Sequence, residues 1–151
     1  MRVCIGGTFN ILHKGHKYLI DKAFETAGKT GSVFIGVTKG EISQKNKNVK
    51  KHDERVNAIK KYLSEKRYDK QAVIRPIFDK YGPSIDGKFD VIIVSPETIK
   101  TAEEINNKRK NKGKKPLKII QIPSILAEDN IPISSTRIIN KEIDENGKIM
   151  N

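Results

Sequence analysis

A string near the amino terminus, GGTFNILHKGH from Gly6 to His16, combines a glycine pair, a hydroxyl group and two histidines. It follows the apolar run Val3 to Ile5, which predicts a strand that hands over to a helix at this point. Adjacent glycines let a backbone approach a bound group closely. A helix beginning near Lys14-Gly15 would direct its N–H groups and positive dipole end at the same place. Because His13 and His16 lie three residues apart, they share one face of the first helical turn, and the string predicts a phosphate-binding turn.

Ordinary structural roles are the alternative for each of these residues taken alone. Gly6 and Gly7 would then form only a tight turn, and the histidines would be surface or capping residues. The complete string favours the chemical interpretation, because H-x-G-H beside G-T-F after a predicted strand is far more constrained than a short glycine motif.

A second candidate for phosphate binding lies near the carboxyl terminus, in the string ISSTRI from Ile133 to Ile138. Ser134 or Ser135 is suited to cap a helix, because hydroxyl oxygens accept bonds from the free N–H groups of a first turn. Together with Thr136, the same hydroxyl groups suit a phosphate chain. Taken alone, the string ISSTRI is more simply interpreted as a helix cap. A phosphate-binding role for it therefore depends on the first string, GGTFNILHKGH.

Apolar runs alternate with helical patterns along the rest of the chain, which is typical of a parallel sheet covered by helices. Strands are predicted at Arg2 to Ile5, Val33 to Val37, Ala72 to Ile77, Val91 to Val94 and Leu117 to Ile122. Apolar residues recur at helical spacing between them, at Leu19, Ala23, Phe24 and Ala27, and again at Val56, Ile59 and Leu63. We expect strand and helix to alternate to the end in a single α/β domain over residues 1–151. The expected fold is Rossmann-like and doubly wound, a five-stranded parallel sheet with helices on both faces and its site at the carboxyl ends of the strands.

Three stretches differ from this pattern. Residues 39–52 are polar and lysine-rich, and predict a mobile flap over the site, with a plain surface loop as the alternative. Residues 108–118 are strongly basic and contain Gly113 and Pro116, which predicts a helix end followed by a turn. Residues 142–151 form a polar tail with no assigned element, which we expect to fray.

The composition limits the classes of function. The chain has 151 residues, a formal net charge of +12 and one cysteine, Cys4. A single cysteine allows no internal disulfide and favours a reducing, cytoplasmic location. No apolar run has the length of a membrane span, so no membrane partner is expected. The charge suits nucleic acid, but aromatic residues are too scarce to stack bases, and it equally attracts polyanionic small molecules such as ATP.

Together, the two strings resemble the paired signatures of the HIGH-motif nucleotidyltransferase superfamily, whose members move AMP or CMP onto a phosphate. Between them, four segments are similar to the archaeal form of phosphopantetheine adenylyltransferase, itself related to the adenylyltransferase domain of eukaryotic coenzyme A synthase: Tyr81 to Ser84, Val94 to Thr98, Ile105 to Arg109 and Ala127 to Asp129. The resemblance runs from Val3 to about Gly147. It departs at Asn10, where the family commonly has aspartate, and in the lysine-rich flap.

The resemblance implies adenylyl transfer from ATP to 4'-phosphopantetheine, which yields dephospho-coenzyme A and pyrophosphate in coenzyme A synthesis. A phosphate oxygen of the acceptor would attack the α-phosphorus of ATP in line, so positioning and charge placement carry the catalysis. Dephospho-coenzyme A or coenzyme A is expected as a product-like ligand. Mg²⁺ is expected to arrive with the nucleotide, because the sequence contains no carboxylate cluster that suggests a dedicated metal cage.

The resemblance also implies roles for residues. His16 would donate to the α-phosphate, Thr8 would orient the attacking phosphate, and His13 would bind a phosphate oxygen further along. A flap lysine, Lys45 in preference to Lys47, would bridge the two phosphates, and Arg109 would hold the β- or γ-phosphate. The expected catalytic residues are His16, Thr8 and Lys45. The expected ATP-binding residues are Gly7, Thr8, Phe9, His13, Gly15, His16, Arg109, Ser134, Ser135 and Thr136, and the expected acceptor-binding residues are Thr8, Asn10, Lys45 and Lys47.

Two alternatives stay open at this level. Glycerol-phosphate cytidylyltransferases and archaeal FAD synthetases carry a similar first string, so the acceptor could be FMN, nicotinamide mononucleotide or glycerol phosphate. Their second string more often reads RTEGISTT, whereas Asp129 to Pro132 precedes ISSTRI here. The alternative from another class is a basic, non-catalytic nucleic-acid-binding domain, which would need neither Thr8 nor His16.

Overall fold

The computed structural model describes residues 1–44 and 48–150. Five parallel strands form its sheet: β1 (Arg2–Gly7), β2 (Ser32–Thr38), β3 (Ala72–Ile77), β4 (Val91–Val94) and β5 (Lys118–Gln121). The α-helices are α1 (Lys14–Ala27), α2 (His52–Glu65), α3 (Ile99–Asn111) and α4 (Ser135–Ile139), and short 3₁₀ helices lie at Gly40–Gln44 and Asp69–Gln71. Each predicted strand is present within two residues of its expected bounds.

The strands lie in the order β3-β2-β1-β4-β5. The chain runs outward from β1 to β3 and then returns to place β4 on the other side of β1, where Cys4 lies between Phe34 of β2 and Ile92 of β4. The connection after β1 therefore leads to a strand on one side of the sheet, β2, whereas the connection after β4 leads to a strand on the other side, β5. In this topology a crevice opens at the carboxyl ends of those two strands. The Rossmann-like α/β fold expected from the sequence is confirmed.

Helices cover both faces of the sheet. On one face, Ile20 and Phe24 of α1 and Ile59 of α2 pack with Val3 and Ile5 of β1. Successive strand residues point to opposite faces, so Cys4 belongs to the other core, which α3 covers through Ala102 and Ile105. Burial on both faces explains the apolar runs without alternation. None of the helices within residues 1–44 and 48–150 is long and apolar enough to cross a bilayer.

The connection from β3 to β4 corrects the expectation of strict alternation. Residues 78–90, all of them described, form turns instead of a helix. The Asp79 carboxylate accepts bonds from the N–H groups of Tyr81 and Gly82, and Gly82 has a φ of +53°. Side-chain bonds to nearby N–H groups and a left-handed glycine compete with helix formation.

The carboxyl-terminal tail corrects a second expectation, because it packs instead of fraying. Ile143 is fully buried and contacts Ala127 and Ile133 in a small apolar cluster. The carbonyl of Glu145 accepts a 3.0 Å bond from the N–H of Lys14, the first residue of α1. One buried isoleucine in an otherwise polar stretch was too weak a pattern to predict this packing.

Candidate active site

A cleft of about 660 Å³ opens at the carboxyl ends of β1 and β4. Both strings identified in the sequence line it, the first with residues between Gly6 and His16 and the second with Ser134, Ser135 and Thr136. Its remaining walls include Ile42 and Ser43 of the first 3₁₀ helix, Leu19 of α1, Ile139 of α4, and the segments Asn48 and Val49, Ser95 to Thr98 and Ile122 to Ile125. The expected convergence of two distant chain segments on one cleft is confirmed.

The two strings also touch directly. The N–H of Ile11 donates to the hydroxyl of Ser135 at 3.3 Å, across 124 residues of chain. Ser134 is the N-cap of α4, and its hydroxyl accepts a 3.2 Å bond from the N–H of Arg137. Arg137 in turn forms an ion pair with Asp129. The serine pair is therefore held in place by its own cap and by the first string.

Phe9 gives the first string its shape, which the sequence did not reveal. Its φ is +49°, in the left-handed region that residues other than glycine rarely adopt, and its side chain is only 3% exposed. The ring lies 5.1 Å from that of His16, between centroids. A Cβ atom at Gly7 would come within 3.3 Å of the Phe9 ring, so this glycine leaves the space that the ring occupies.

His13 caps α1. Its Nδ1 atom accepts bonds from the N–H groups of Gly15 at 3.0 Å and His16 at 3.4 Å, so the ring proton is on Nε2. Burial lowers the pKa of His13 to about 4, and the ring is a neutral donor near pH 7. A Cβ atom at Gly15 would lie 2.9 Å from His13 Cε1, which explains the glycine. The expectation of free helical N–H groups is corrected, because His13 takes two of them and the tail carbonyl takes that of Lys14.

His16 stacks on His13, with ring centroids 3.7 Å apart. Its Nδ1 atom lies 3.0 Å from the carbonyl oxygen of Ile11. The same atom also lies 3.4 Å from the backbone nitrogen of His13, whose N–H could donate to it only if Nδ1 had a lone pair. The contact with Ile11 is the shorter of the two and a carbonyl can only accept, so we assign the proton to Nδ1, which leaves a lone pair on Nε2 in the neutral ring. Burial, reinforced by the neighbouring His13, lowers the pKa of His16 to about 3, against the opposing effect of the bond to Ile11. The two histidines therefore offer different chemistry at Nε2, a donor on His13 and an acceptor on His16.

Thr8 lies in the cleft at the end of β1, where its hydroxyl accepts a 3.0 Å bond from that of Thr38. Arg55, on α2 and only 2% exposed, donates from Nη1 to the carbonyls of Thr8 at 2.9 Å and Thr38 at 2.8 Å. Burial lowers the pKa of Arg55. The sequence analysis missed this residue. The available signal was its spacing, because positions 55, 59 and 63 share one helix face and the other two are isoleucine and leucine.

Asn10 lines the cleft, but its amide is already engaged. Its Nδ2 donates to the carbonyl of Asn48 at 2.9 Å, and its Oδ1 accepts from the N–H of Lys50 at 2.7 Å. The side chain therefore bonds to the backbone of residues 48–50, and its expected contact with the acceptor stays a prediction. The two lysines expected to act from the flap, Lys45 and Lys47, lie outside the described residues.

Arg109 is not brought to the cleft, which corrects its expected role as a phosphate ligand. The side chain is 6% exposed, with Nε donating to the carbonyl of Lys115 at 2.8 Å. Its Nη1 donates to the carbonyls of Ser84, Ile85 and Gly87. A crossover helix runs antiparallel to the strands it joins, so the last turn of α3 lies at the amino edge of the sheet, opposite the site. The sequence predicted that Arg109 lies on a helix, but it did not show at which edge of the sheet that part of the helix lies.

A second cavity of about 270 Å³ adjoins the first on the α3 face of the sheet. The two share Gly6, Gly7, Thr8, Ile42 and Thr98. Its other walls are mainly apolar, with Phe34, Ile77, Ile92, Val94 and Ile105, beside Lys80 and Tyr81. Thr8 thus stands at the junction of a polar cleft and an apolar one.

Across the part of the chain that the structure describes, no three side chains of histidine, cysteine, aspartate or glutamate come together as a metal-binding group. Oxygen-bearing side chains that line the cleft include the hydroxyls of Thr8, Ser134, Ser135 and Thr136 and the carboxylate of Glu97. The hydroxyl groups can donate to a phosphate chain, whereas the carboxylate can only accept.

Residues 4–141 match the family model described as cytidylyltransferase-like. This match agrees with the fold and with the presence of both strings in one cleft. The protein is therefore a nucleotidyltransferase. A phosphopantetheine adenylyltransferase of Methanosarcina mazei is 46% identical, over 98% of this chain and 96% of its own. One of Archaeoglobus fulgidus is 40% identical, over 99% of this chain and 100% of its own. The chain belongs to the phosphopantetheine adenylyltransferase family within the cytidylyltransferase-like enzymes. A crystal structure of an A. fulgidus protein of unknown function superposes with a TM-score of 0.74 at 36% identity, covering 81% of this chain and 89% of that one.

Proposed function

We propose that the protein transfers the adenylyl group of ATP, supplied as its magnesium complex, to 4'-phosphopantetheine, which releases pyrophosphate and forms dephospho-coenzyme A. The observation that carries the proposal is the 3.3 Å bond from the Ile11 N–H to the Ser135 hydroxyl, which joins the two phosphate-binding strings across one cleft. Membership of the adenylyltransferase family supports the choice of acceptor. A cytoplasmic location belongs to the proposal, because ATP is supplied there.

The triphosphate of ATP would lie between the two strings. Ser134, Ser135 and Thr136 offer hydroxyl groups from one wall. From the other wall, the neutral ring of His13 offers its Nε2–H, since Nδ1 is used by the amides of α1. Neutral donors suit this part of the ligand, because the magnesium ion of the substrate already offsets much of its charge.

His16 would act at the α-phosphate, and its tautomer sets a condition on how. Since Nδ1–H is held by the Ile11 carbonyl, Nε2 must gain a proton before it can donate to a phosphate oxygen. A bound polyanion raises the pKa of a neighbouring histidine, so the substrate itself supplies the driving force for that protonation. The imidazolium would then stabilise the charge that develops on the α-phosphate in the transition state.

The acceptor would occupy the second cavity. Its apolar walls suit the pantetheine arm, and the shared residues Gly7 and Thr8 would receive the acceptor phosphate beside the α-phosphate. Thr8 would orient the attacking oxygen, because its hydroxyl oxygen accepts from Thr38 and leaves its own proton free to donate. A flap lysine, Lys45 or Lys47, would offset the repulsion of two approaching anions.

The test is pyrophosphate release with ATP or CTP, each combined with phosphopantetheine, FMN, nicotinamide mononucleotide or glycerol phosphate. ATP with phosphopantetheine should give the highest kcat/KM, and unphosphorylated pantetheine should give no release. Loss of one preorganised donor at a reacting phosphate costs about 100-fold or more in turnover, so His16→Ala should fold normally and lose that much. Ser64→Ala, an exposed change on α2, serves as the control. A higher kcat/KM with another acceptor, or wild-type turnover in His16→Ala, would overturn the proposal.

A further inference from the structure

One wall of the cleft is a short backbone segment at residues 48–50. Asn48 and Val49 line the cleft and lead through Lys50 into α2. This segment carries no strand or helix of its own within its described residues. Its position therefore depends on bonds from outside the segment.

Asn10 supplies two of those bonds from the opposite side of the cleft mouth. Its amide nitrogen donates to the carbonyl of Asn48 at 2.9 Å, while its amide oxygen accepts from the N–H of Lys50 at 2.7 Å. The side chain thus bridges two alternate residues of one backbone segment. Such paired bonds fix both the distance and the orientation of the segment.

Arg55 supplies the third bond. Its Nε donates to the carbonyl of Lys50 at 2.8 Å, while its Nη1 binds the carbonyl of Thr8 in the turn that carries Asn10. Both backbone polar groups of Lys50 are therefore tied to the phosphate-binding turn, one through Asn10 and one through Arg55. The turn and the segment form one bonded unit.

The pairing requires an amide. A carboxylate at position 10 would accept from the N–H of Lys50 equally well, but its second oxygen would face the carbonyl oxygen of Asn48 with no proton between them. Two acceptors at this distance repel, whereas the Asn10 amide presents one donor and one acceptor. This explains why this chain has asparagine at position 10, where the family that it resembles commonly has aspartate.

We propose that Asn10 is a positioning residue that holds the Asn48–Val49 wall of the cleft through the backbone of residues 48–50, with Arg55 as the second anchor. The inference rests on the proposed function for its effect on turnover, but not for the bonds themselves. Loss of the bridge leaves Thr8, His13 and His16 in place and loosens the opposite wall. The substrate then binds in a cleft whose Asn48–Val49 wall is held less rigidly.

The first test measures hydrogen exchange at the backbone amide of Lys50 by NMR, without substrate. Wild-type protein should protect this amide, and Asn10→Ala should speed its exchange about tenfold, the effect of losing one hydrogen bond. Amides of β1 and α1 should exchange as in the wild type, which shows that the fold is retained. Unchanged exchange at Lys50 would overturn the inference and would leave the proposed function untouched.

The second test compares Asn10→Asp with the wild type in kcat/KM for ATP across pH 4 to 8, a range that extends down to the usual pKa of an aspartate carboxyl, about 3.9. At pH 8 the variant should be about tenfold worse. The ratio should approach one as the pH falls, because a protonated carboxyl group again donates to the carbonyl of Asn48. Taking the ratio removes every pH effect that the two proteins share. The charged and titratable groups around the cleft and the flap, present in both, are His13, His16, Lys50, His52 and Arg55.

The matched control is Asn57→Asp, which makes the same chemical change at an exposed position of α2. It should keep the wild-type ratio at every pH. A ratio near one for Asn10→Asp at pH 8, or a deficit that does not change with pH, would overturn the amide requirement. Absence of pyrophosphate release from the wild-type protein would instead count against the proposed function.

Discussion

Two buried arginines, Arg55 and Arg109, lie on crossover helices and donate mainly to backbone carbonyls. Arg55 is in the first turn of α2, which begins at the carboxyl edge of the sheet, and it contacts the turn that lines the cleft. Arg109 is in the last turn of α3, at the amino edge, where it joins the β3–β4 connection to the residues after α3. The same side chain therefore serves the site or the scaffold according to its position along the helix.

The largest effect expected from this comparison is on stability at the amino edge. Arg109→Met would leave the buried carbonyl of Ser84 and the half-buried carbonyls of Ile85 and Gly87 without their donor. Unsatisfied buried acceptors cost about 1–3 kcal/mol each before relaxation, so the free energy of unfolding should fall by roughly 3 kcal/mol. Urea denaturation measures this loss. The kcat of the folded protein should stay within about twofold of the wild type, and a large drop in kcat would return Arg109 to the site.

A smaller effect, on turnover, is expected at the carboxyl edge. In Arg55→Lys a single amine replaces the planar fork and cannot reach the carbonyls of Thr8, Thr38 and Lys50 together. We expect kcat to fall about tenfold, with KM for ATP changed less, because the turn and the cleft wall lose their common anchor. Steady-state kinetics at a temperature where the variant is folded measures the split. A variant that is destabilised but fully active would show that Arg55, like Arg109, stabilises the fold without contributing to turnover.

The smallest effect per residue is a pH dependence of stability that belongs to the carboxyl edge. Burial lowers the pKa of His13 to about 4 and that of His16 to about 3, whereas both titrate near 6.5 in the unfolded chain. Protons therefore bind the unfolded state first as the pH falls, and the stability present above pH 6.5 is lost below it. The loss should be about 1 kcal/mol per histidine between pH 7 and pH 5.5. Denaturation of His13→Asn at both pH values should show about half of the wild-type difference, and an equal difference would contradict the assignment.

The fold was largely predictable because its signals are local. Strands buried on both faces have continuous apolar runs, as in VIIV from Val91 to Val94, and α1 has a clear apolar stripe that ends at Gly28. The helix-free connection at residues 78–90 was missed, since its turns depend on where the Asp79 carboxylate bonds. The buried tail was missed because its single anchor, Ile143, packs against residues distant in sequence.

Much of the lining of the cleft was predictable from the sequence, but its bonding and the position of Arg109 away from it were not. Gly7, Thr8, His13, His16 and the serine pair all line the cleft. The roles of individual atoms depend on partners that only the folded chain brings near. The amide of Asn10 bonds to the flap backbone, and the first N–H groups of α1 bond to His13 and the tail.

The sequence by itself determined the α/β architecture and the two strings that carry the chemistry, because hydrophobic periodicity and residue type are written along the chain. Only the tertiary structure decided which sheet edge each helix end occupies, and therefore that Arg55 and not Arg109 bonds to the turn that lines the cleft. It also decided which nitrogen of each histidine is free, through bonds to Gly15 and Ile11. These properties depend on distances between residues far apart in sequence, which no local pattern records.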